Sequence, residues 1–396
     1  MIKRIGILCL VGSLLLLTAT GCWDRRELNT LGIAIGIGID KVGTRYRVTA
    51  QIVSPEAVTG QRAQIGPLAT TYQAMGDTVF EALRKITTKS PRKIYVAHIR
   101  VLILSETLAK EGIRNVLDFF FRDPEVRPDF YVLIAKKNSA RDLLSQFTRV
   151  EKIPASKMFF SLETSEKSWA PTKGVKLDQL LSEMMTKGKA PVLAGVEIRG
   201  EEETGETEAN LNTITPPSLV VIELMGVLNK DRLVGWLNQE ESKGYNYIRN
   251  NITNTVGHLP CPQGGKVVIE VKGIQSKIKG EIRKGKPKLT VEIKGEGNVG
   301  EVACNIDLSK KQTLYELEKR TEQRIKKMAE MSIKKAQGYR SDIFGFGEAI
   351  YRSDPNVWKK LKKNWDREFV KLKPDVKVDF KIRQTGSAGN SFIEGM

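Results

Sequence analysis

The sequence predicts a mixed α+β fold in which strand-rich sheets are followed by one long helix near the C-terminal end. Three observations carry this. Between residues 31 and 135, apolar β-branched runs alternate with amphipathic helical segments. Lys266–Lys279 and Pro287–Gly295 alternate apolar and charged residues with period two, the pattern of half-exposed strands. From Leu308 to about Tyr339, the residues Leu314, Leu317, Thr321, Ile325, Met328, Ser332 and Ala336 recur every three or four positions among Lys, Glu and Arg. The 396 residues suffice for two or three domains. A composition of 40% hydrophobic and 28% charged residues excludes a wholly disordered chain.

The first 22 residues read as an export leader. Lys3 and Arg4 give a positive start, Ile5–Leu17 is uncharged and apolar, and Ala19, Thr20 and Gly21 precede Cys22. Small residues followed at once by Cys resemble a lipobox, whose Cys sulfur takes a diacylglyceryl group. Two acyl chains hold a soluble body on a membrane without a protein span. Beyond residue 22 the longest apolar run is Leu31–Ile39, far short of the roughly 20 residues a spanning helix needs, so a multi-pass membrane protein is excluded. With Cys9 in the leader and Cys22 lipidated, Cys261 and Cys304 remain; an oxidising compartment allows them to pair or to stay as two thiols.

The elements then follow in order. Leu31–Ile39 and Tyr46–Val53 are adjacent strands across a turn at 40–43, the glycines of the first implying close backbone packing. Val58–Ala69 is a loop, and Thr78, Val79, Ala82, Leu83 and Ile86 mark a helix running to about Lys89. Lys93–Leu104 is the strongest strand, followed by a helix at Ile113–Phe121, a strand at Phe130–Ala135 and a helix capped by Ser139. The acidic stretch Glu201–Asn210 is a hairpin tip or a linker. Ser218–Leu228 reads as a strand and Leu237–Ile248 as a helix. Ser309 is the expected cap and Gly338 the expected stop of the long helix. Asp354-Pro355 opens another helix carrying Val357, Trp358, Leu361 and Trp365, Val376–Ile382 closes as a strand, and Gln384–Met396 is a frayed tail.

Catalytic signatures are missing. There is no Gly-x-Ser-x-Gly, no Walker A sequence and no Cys-x-x-Cys, and Gly36-Ile37-Gly38 lacks a third glycine at Lys41. His98, expected within the strong strand, and His258 stand 160 residues apart with no ligand spacing around them. No catalytic residue, cofactor or metal is therefore expected. The formal charge is +18, and residues 309–383 alone hold 21 Lys+Arg against 11 Asp+Glu. For an anchored protein the nearest polyanion is the membrane surface or cell-wall polymer, with a merely solubilising surface as the alternative; no nucleic-acid partner is expected. Trp358 and Trp365 beside lysines fit a core at helical spacing better than a nucleic-acid patch.

Cys22-Trp23-Asp24-Arg25-Arg26-Glu27-Leu28-Asn29, directly after the lipobox, resembles the start of the Ger(x)C lipoproteins, the C subunits of spore germinant receptors. Arg92–His98 with Arg122–Arg127, Gly226–Leu237 with Glu241–Gly244, and Asp342–Gly347 before Trp358 and Trp365 resemble later parts of that family. The resemblance implies a three-domain α+β lipoprotein on the outer face of the membrane, in the spore the inner membrane. Its implied partners are two integral-membrane subunits, an A-type and a permease-like B-type. It implies no catalytic residue, only Cys22 as lipid attachment point. The expected division is a signal peptide at 1–21, an α/β domain at 22–198, a strand-rich domain at 199–300, a helix-plus-strand domain at 301–385 and a flexible tail at 386–396. A substrate-binding lipoprotein of a transporter is the alternative, and it requires two similar α/β lobes.

Overall fold

A computed structural model describes residues 4–6, 30–53, 67–261 and 264–385. The expectations placed on Cys22, on most of the 58–69 loop and on the 386–396 tail lie outside the described residues.

Two sheets organise the chain. The larger contains β1 (Leu31–Val42), β2 (Arg45–Val53), β3 (Ala69–Gly76), β4 (Lys93–Tyr95), β5 (Val101–Ser105), β6 (Tyr131–Ala135), β7 (Val192–Gly200), β8 (Ser218–Asn229) and β9 (Arg232–Leu237). Its order is β3-β2-β1-β5-β6-β7-β8-β9, with β4 also paired to β1. The central β1, β5, β6 and β7 run parallel and the flanking pairs antiparallel. Parallel strands need crossover helices, which cover both faces and leave the strands apolar throughout; all five residues of β5 are buried. One face carries the helices Val79–Ile86, Glu106–Glu111, Arg114–Arg122 and Leu177–Met185, the other Ala140–Ser145 and Pro154–Ser168. The expected close packing of β1 is present: a Cβ at Gly36 would lie 2.6 Å from the Ala155 Cβ. At the end of β1 the buried Asp40 accepts the Ala140 N–H (2.8 Å) and Arg141 N–H (3.3 Å), so the sheet itself helps cap that helix. Ser139 caps it as expected, in a reciprocal box with Asp142.

The smaller sheet has the order β10 (Thr255–Pro260), β11 (Lys266–Arg283), β12 (Lys286–Val302) and β13 (Asp375–Gln384). β10 to β12 are antiparallel and β13 is parallel to β12. The crossover between those last two contains the helix Lys311–Gly338, which packs on β13 and on the helix Gln239–Ile248. Leu317, Thr321, Ile325, Met328, Ser332 and Ala336 are its buried stripe, as the periodicity requires, with Leu314 partly buried.

Several expectations need correction. Lys93–Leu104 is not one strand. β4 and β5 pair with β1 at different places, Lys93 opposite Leu31 and Val101 opposite Gly36, and residues 96–100 leave the ladder where β1 bulges between Ala34 and Gly36. His98 consequently lies in a turn. The loop ending at Ala69 gives way to edge strand β3, whose outer face is largely exposed and carries no apolar alternation. Helices at Pro154–Ser168 and Leu177–Met185 were not anticipated. Glu201–Asn210 joins the paired β7 and β8 as two short helical turns, with Asn210 buried and its amide donating to the Phe147 (2.8 Å) and Ser218 (3.2 Å) carbonyls. Ser309 turns back to Asp307 instead of capping the long helix, and Arg340 (φ +53°), not Gly338, takes the left-handed conformation after it. The Asp354 carboxylate does accept the Asn356 and Val357 N–H groups as a cap, but Trp365 belongs to a separate helix, Trp365–Lys371.

Cys261 and Cys304 are bonded, resolving the pairing left open by the sequence. The bond ties the end of β10 to the segment leading into the long helix, across 43 residues. In a chain-entropy account a loop of that size stabilises the fold by about 4 kcal/mol. Cys261→Ser with Cys304→Ser should lower the free energy of urea unfolding by up to that amount, and reductant should do the same to the unmodified chain while leaving the double variant unchanged.

Candidate functional site

The structure scatters the histidines. His98 is exposed, its ring edge-on to Tyr95 at 5.7 Å, and His258 is exposed on β10. Among the described residues no group of three or more His, Cys, Asp or Glu is placed to hold a metal. Trp358 and Trp365 are buried with ring centroids 5.2 Å apart, so they are core and cannot stack on bases.

The segment Ser341–Gly347, flagged by its glycines, is where the molecule concentrates its polar interactions. Asp342 Oδ1 accepts the N–H groups of Phe344 (3.2 Å), Gly345 (3.0 Å) and Phe346 (3.1 Å). Its Oδ2 accepts Gly347 N–H (2.8 Å) and Trp365 Nε1–H (3.1 Å). This carboxylate therefore serves the free amides at the start of the helix Phe346–Ser353, which the sequence did not suggest, and also fastens the helix Trp365–Lys371. The chain can fold so tightly around one side chain because Gly345 has φ +79°. Gly347 is small for a different reason: a Cβ there would lie 2.7 Å from Gly188 Cα and 2.8 Å from the Trp358 ring.

The same turn gathers distant parts of the chain. Ala190 N–H donates to the Asp342 carbonyl (2.7 Å), Arg249 Nη1 to the Phe344 carbonyl (2.9 Å), and the Ser341 hydroxyl to the Leu228 carbonyl. Phe344 and Phe346 are fully buried and stacked, centroids 5.2 Å apart. Burial pushes the Asp342 carboxyl up to about 6, and the N–H donors of Gly347, Phe346, Trp365 and Gly345 limit that rise. A cavity of about 270 Å³ opens beside it between Gly188, Lys189, Trp358 and Trp365. With both oxygens committed to donors, this acid organises the fold and is not free to shuttle protons.

An open groove of about 600 Å³ lies elsewhere, between residues 146–151, one face of the helix Pro154–Ser168 and the start of β8. Its rim carries the exposed Val150, Phe160 and Leu219. Lys157 reaches into it and donates to the Val220 carbonyl. Burial alone pushes this ammonium down to about 8. Nothing in the sequence distinguishes Lys157 from its neighbours, since Pro154–Ser168 has neither strong amphipathicity nor a side-chain cap.

Comparison with known proteins bears on all of this. Residues 24–198 match the model described as spore germination protein N-terminal domain, and residues 224–386 the model described as spore germination B3/GerAC like, C-terminal. Spore germination protein KC of Bacillus subtilis (strain 168) is 31% identical over 96% of this chain and 97% of its own length. Spore germination protein B3 of the same organism is 25% identical, covering 95% and 96% respectively. The solved structure titled "Crystal Structure of the GerBC protein" shares the fold with a TM-score of 0.53 and 21% identity, over 88% of this chain and 96% of that one.

Two predictions follow from the Asp342 turn. Asp342→Asn leaves the Gly347 and Trp365 N–H groups facing an amide NH₂ or lacking an acceptor, so urea unfolding at pH 7 should show a loss of about 2–4 kcal/mol. Because the folded carboxyl titrates above its ordinary 3.8, its proton-linked stabilisation is complete below about pH 4 and lost as pH rises through 6. The gap between unmodified chain and Asp342→Asn should therefore widen on going from pH 7 to pH 4. For the glycines, Gly345→Ala should cost about 1 kcal/mol through its left-handed backbone and Gly347→Ala about 1–3 kcal/mol through collision with Gly188. Unchanged thermal midpoints for both would make the segment a mere linker.

Proposed function

We propose that this chain, which belongs to the spore germination B3/GerAC-like family, is the lipid-anchored, non-enzymatic C subunit of a nutrient germinant receptor. In this reading Cys22 carries the lipid and holds the folded body at the outer face of the spore's inner membrane. The partners are an A-type integral-membrane subunit and a permease-like B-type subunit, and the chain contributes assembly and signal coupling through its surfaces.

The observation that supports this most is the end-to-end match: two family models lie in order along the chain, and a 31% identical spore germination protein spans 96% of it. The site chemistry agrees with it. The two most deeply buried carboxylates among the described residues, Asp40 and Asp342, are both spent on backbone N–H groups, and Asp40 also pairs with Arg47 at 3.4 Å. The segment 355–373 adds an exposed basic stretch that suits an anchored protein. Lys359, Lys360, Lys362 and Lys363 are exposed there, with Asp366 and Glu368 the only acids among those 19 residues. Cations at an anionic lipid surface gain about 1 kcal/mol each. A transporter's binding protein would need two similar lobes, whereas the two sheets here differ in size and connectivity.

Deletion of the gene should leave vegetative growth intact and abolish the spore's response to one class of nutrient. Cys22→Ala should block lipidation, read by mass spectrometry of the N-terminal peptide, and reproduce the germination defect. Normal germination of deletion spores toward every nutrient tested, with no redundant paralogue, would overturn the reading.

A further inference from the structure

The open groove beside Lys157 is not accounted for by a receptor-assembly role. Its volume of about 600 Å³ falls within the range of small-ligand sites, and its walls are predominantly apolar. Val150, Phe160 and Leu219 at the rim remain in solvent, Phe160 and Leu219 at 43% and 48% exposure. The one cation in its wall that reaches inward is Lys157, whose ammonium has a carbonyl partner and, among the described residues, no carboxylate partner. Arg149, on the same wall, is already occupied by the carbonyls of Asn210 and Ile214 and the Thr213 hydroxyl. Glu151 also lines the groove, yet burial is the sole cause of the downward shift at Lys157.

The second strongly buried lysine gives a useful contrast. Lys243, likewise pushed down to about 8, is closed over by the Trp169 ring at 3.2 Å and packed within the fold. Lys157 has no such cover and opens on the groove. A half-desolvated ammonium in an apolar trough is incomplete without an anion, because burying a charge costs free energy until it is paired.

We propose that this groove binds a monocarboxylate with an apolar body, the carboxylate meeting Lys157 and the hydrocarbon lying between the Pro154–Ser168 helix and the start of β8. One cation selects one negative charge. Among the described residues the other lining cation, Arg149, is turned to the 210–214 segment by its three bonds, so a phosphate dianion would bring a second charge with no cation to meet it, and a neutral lipid would leave the ammonium unpaired. Phe160 and Leu219 supply the apolar contact at the mouth.

The test uses the full-length chain in its membrane and, as probe, a dodecanoate analogue bearing a diazirine on its chain, applied below micelle-forming concentration. Irradiation and peptide mapping should place saturable label within residues 146–168 or 216–220, competed by unlabelled dodecanoate. Lys157→Met should reduce that labelling at least tenfold, Lys157→Arg should restore most of it, and the corresponding alcohol probe should change less than twofold. Leu219→Glu, on the exposed rim, provides a second variant that does not touch the buried ammonium, and it should also weaken the carboxylate probe at least tenfold by charge repulsion. Label spread over the whole surface, label that dodecanoate does not displace, or equal labelling of Lys157→Met would overturn the proposal. So would a germination defect in Lys157→Met without any labelling of the groove, which would assign the face to a protein partner.

Discussion

A single buried carboxylate receiving five N–H groups is the interaction on which the rest of this structure depends. Asp342 takes four consecutive backbone amides and one indole, binding the start of the helix Phe346–Ser353 to the helix Trp365–Lys371. A charge at 4% exposure is tolerable only when nearly all its lone pairs are filled, and the Gly345 turn is the backbone conformation that fills them. The helix Phe346–Ser353 thereby begins, the helix Trp365–Lys371 is pinned, and the strand-leading residues 188–190 are drawn in. The larger sheet and the long-helix unit meet at this point, through Ala190, Leu228 and Arg249. The aromatic stack of Phe344 and Phe346 then excludes the water that would weaken those bonds.

How much of this the sequence discloses depends on the range of the interaction that decides each element. The buried stripe of the long helix, the Ser139 and Asp354 caps and the strand at Ser218–Asn229 are fixed by neighbours in sequence, and all are legible there. The division of Lys93–Leu104 into two strands is not, because it is imposed by the bulge in β1, some sixty residues earlier, while the residues themselves remain apolar and β-branched. The helix Pro154–Ser168 was invisible for a related reason. It contacts the sheet on one side and the groove on another, so its apolar residues do not form a single stripe. Ser309 had the right side chain for a cap, but Asp307 two residues away offered its hydroxyl a nearer acceptor.

The candidate site was legible by halves. The glycines of Asp342–Gly347 announced a tight turn, and a turn is what they make. What they could not announce is that Gly347 is held small by Gly188, a residue 159 positions away whose own backbone is left-handed. Nor does an aspartate before an apolar pair carry any mark of becoming the acceptor for five donors. Lys157 left no trace at all, since one lysine among 64 Lys+Arg is distinguished only by where the fold buries it.

One of these two charges is balanced within the chain and the other is not, and that difference separates structure from function in this molecule. Asp342 is an anion surrounded by donors, sealed by aromatic rings and balanced within the chain, so any change there is felt as stability. Lys157 is a cation whose surroundings supply one carbonyl and otherwise hydrocarbon, with an opening to solvent. A fold gains nothing by leaving an ammonium half-desolvated, because moving the head group a few ångströms outward along its flexible stem would rehydrate it. The unpaired charge is therefore better understood as one half of an interaction whose other half arrives from outside. Among the described residues the buried Asp40 and Asp342 are already engaged by donors within the chain, so it is at Lys157 that a ligand from outside would complete the balance.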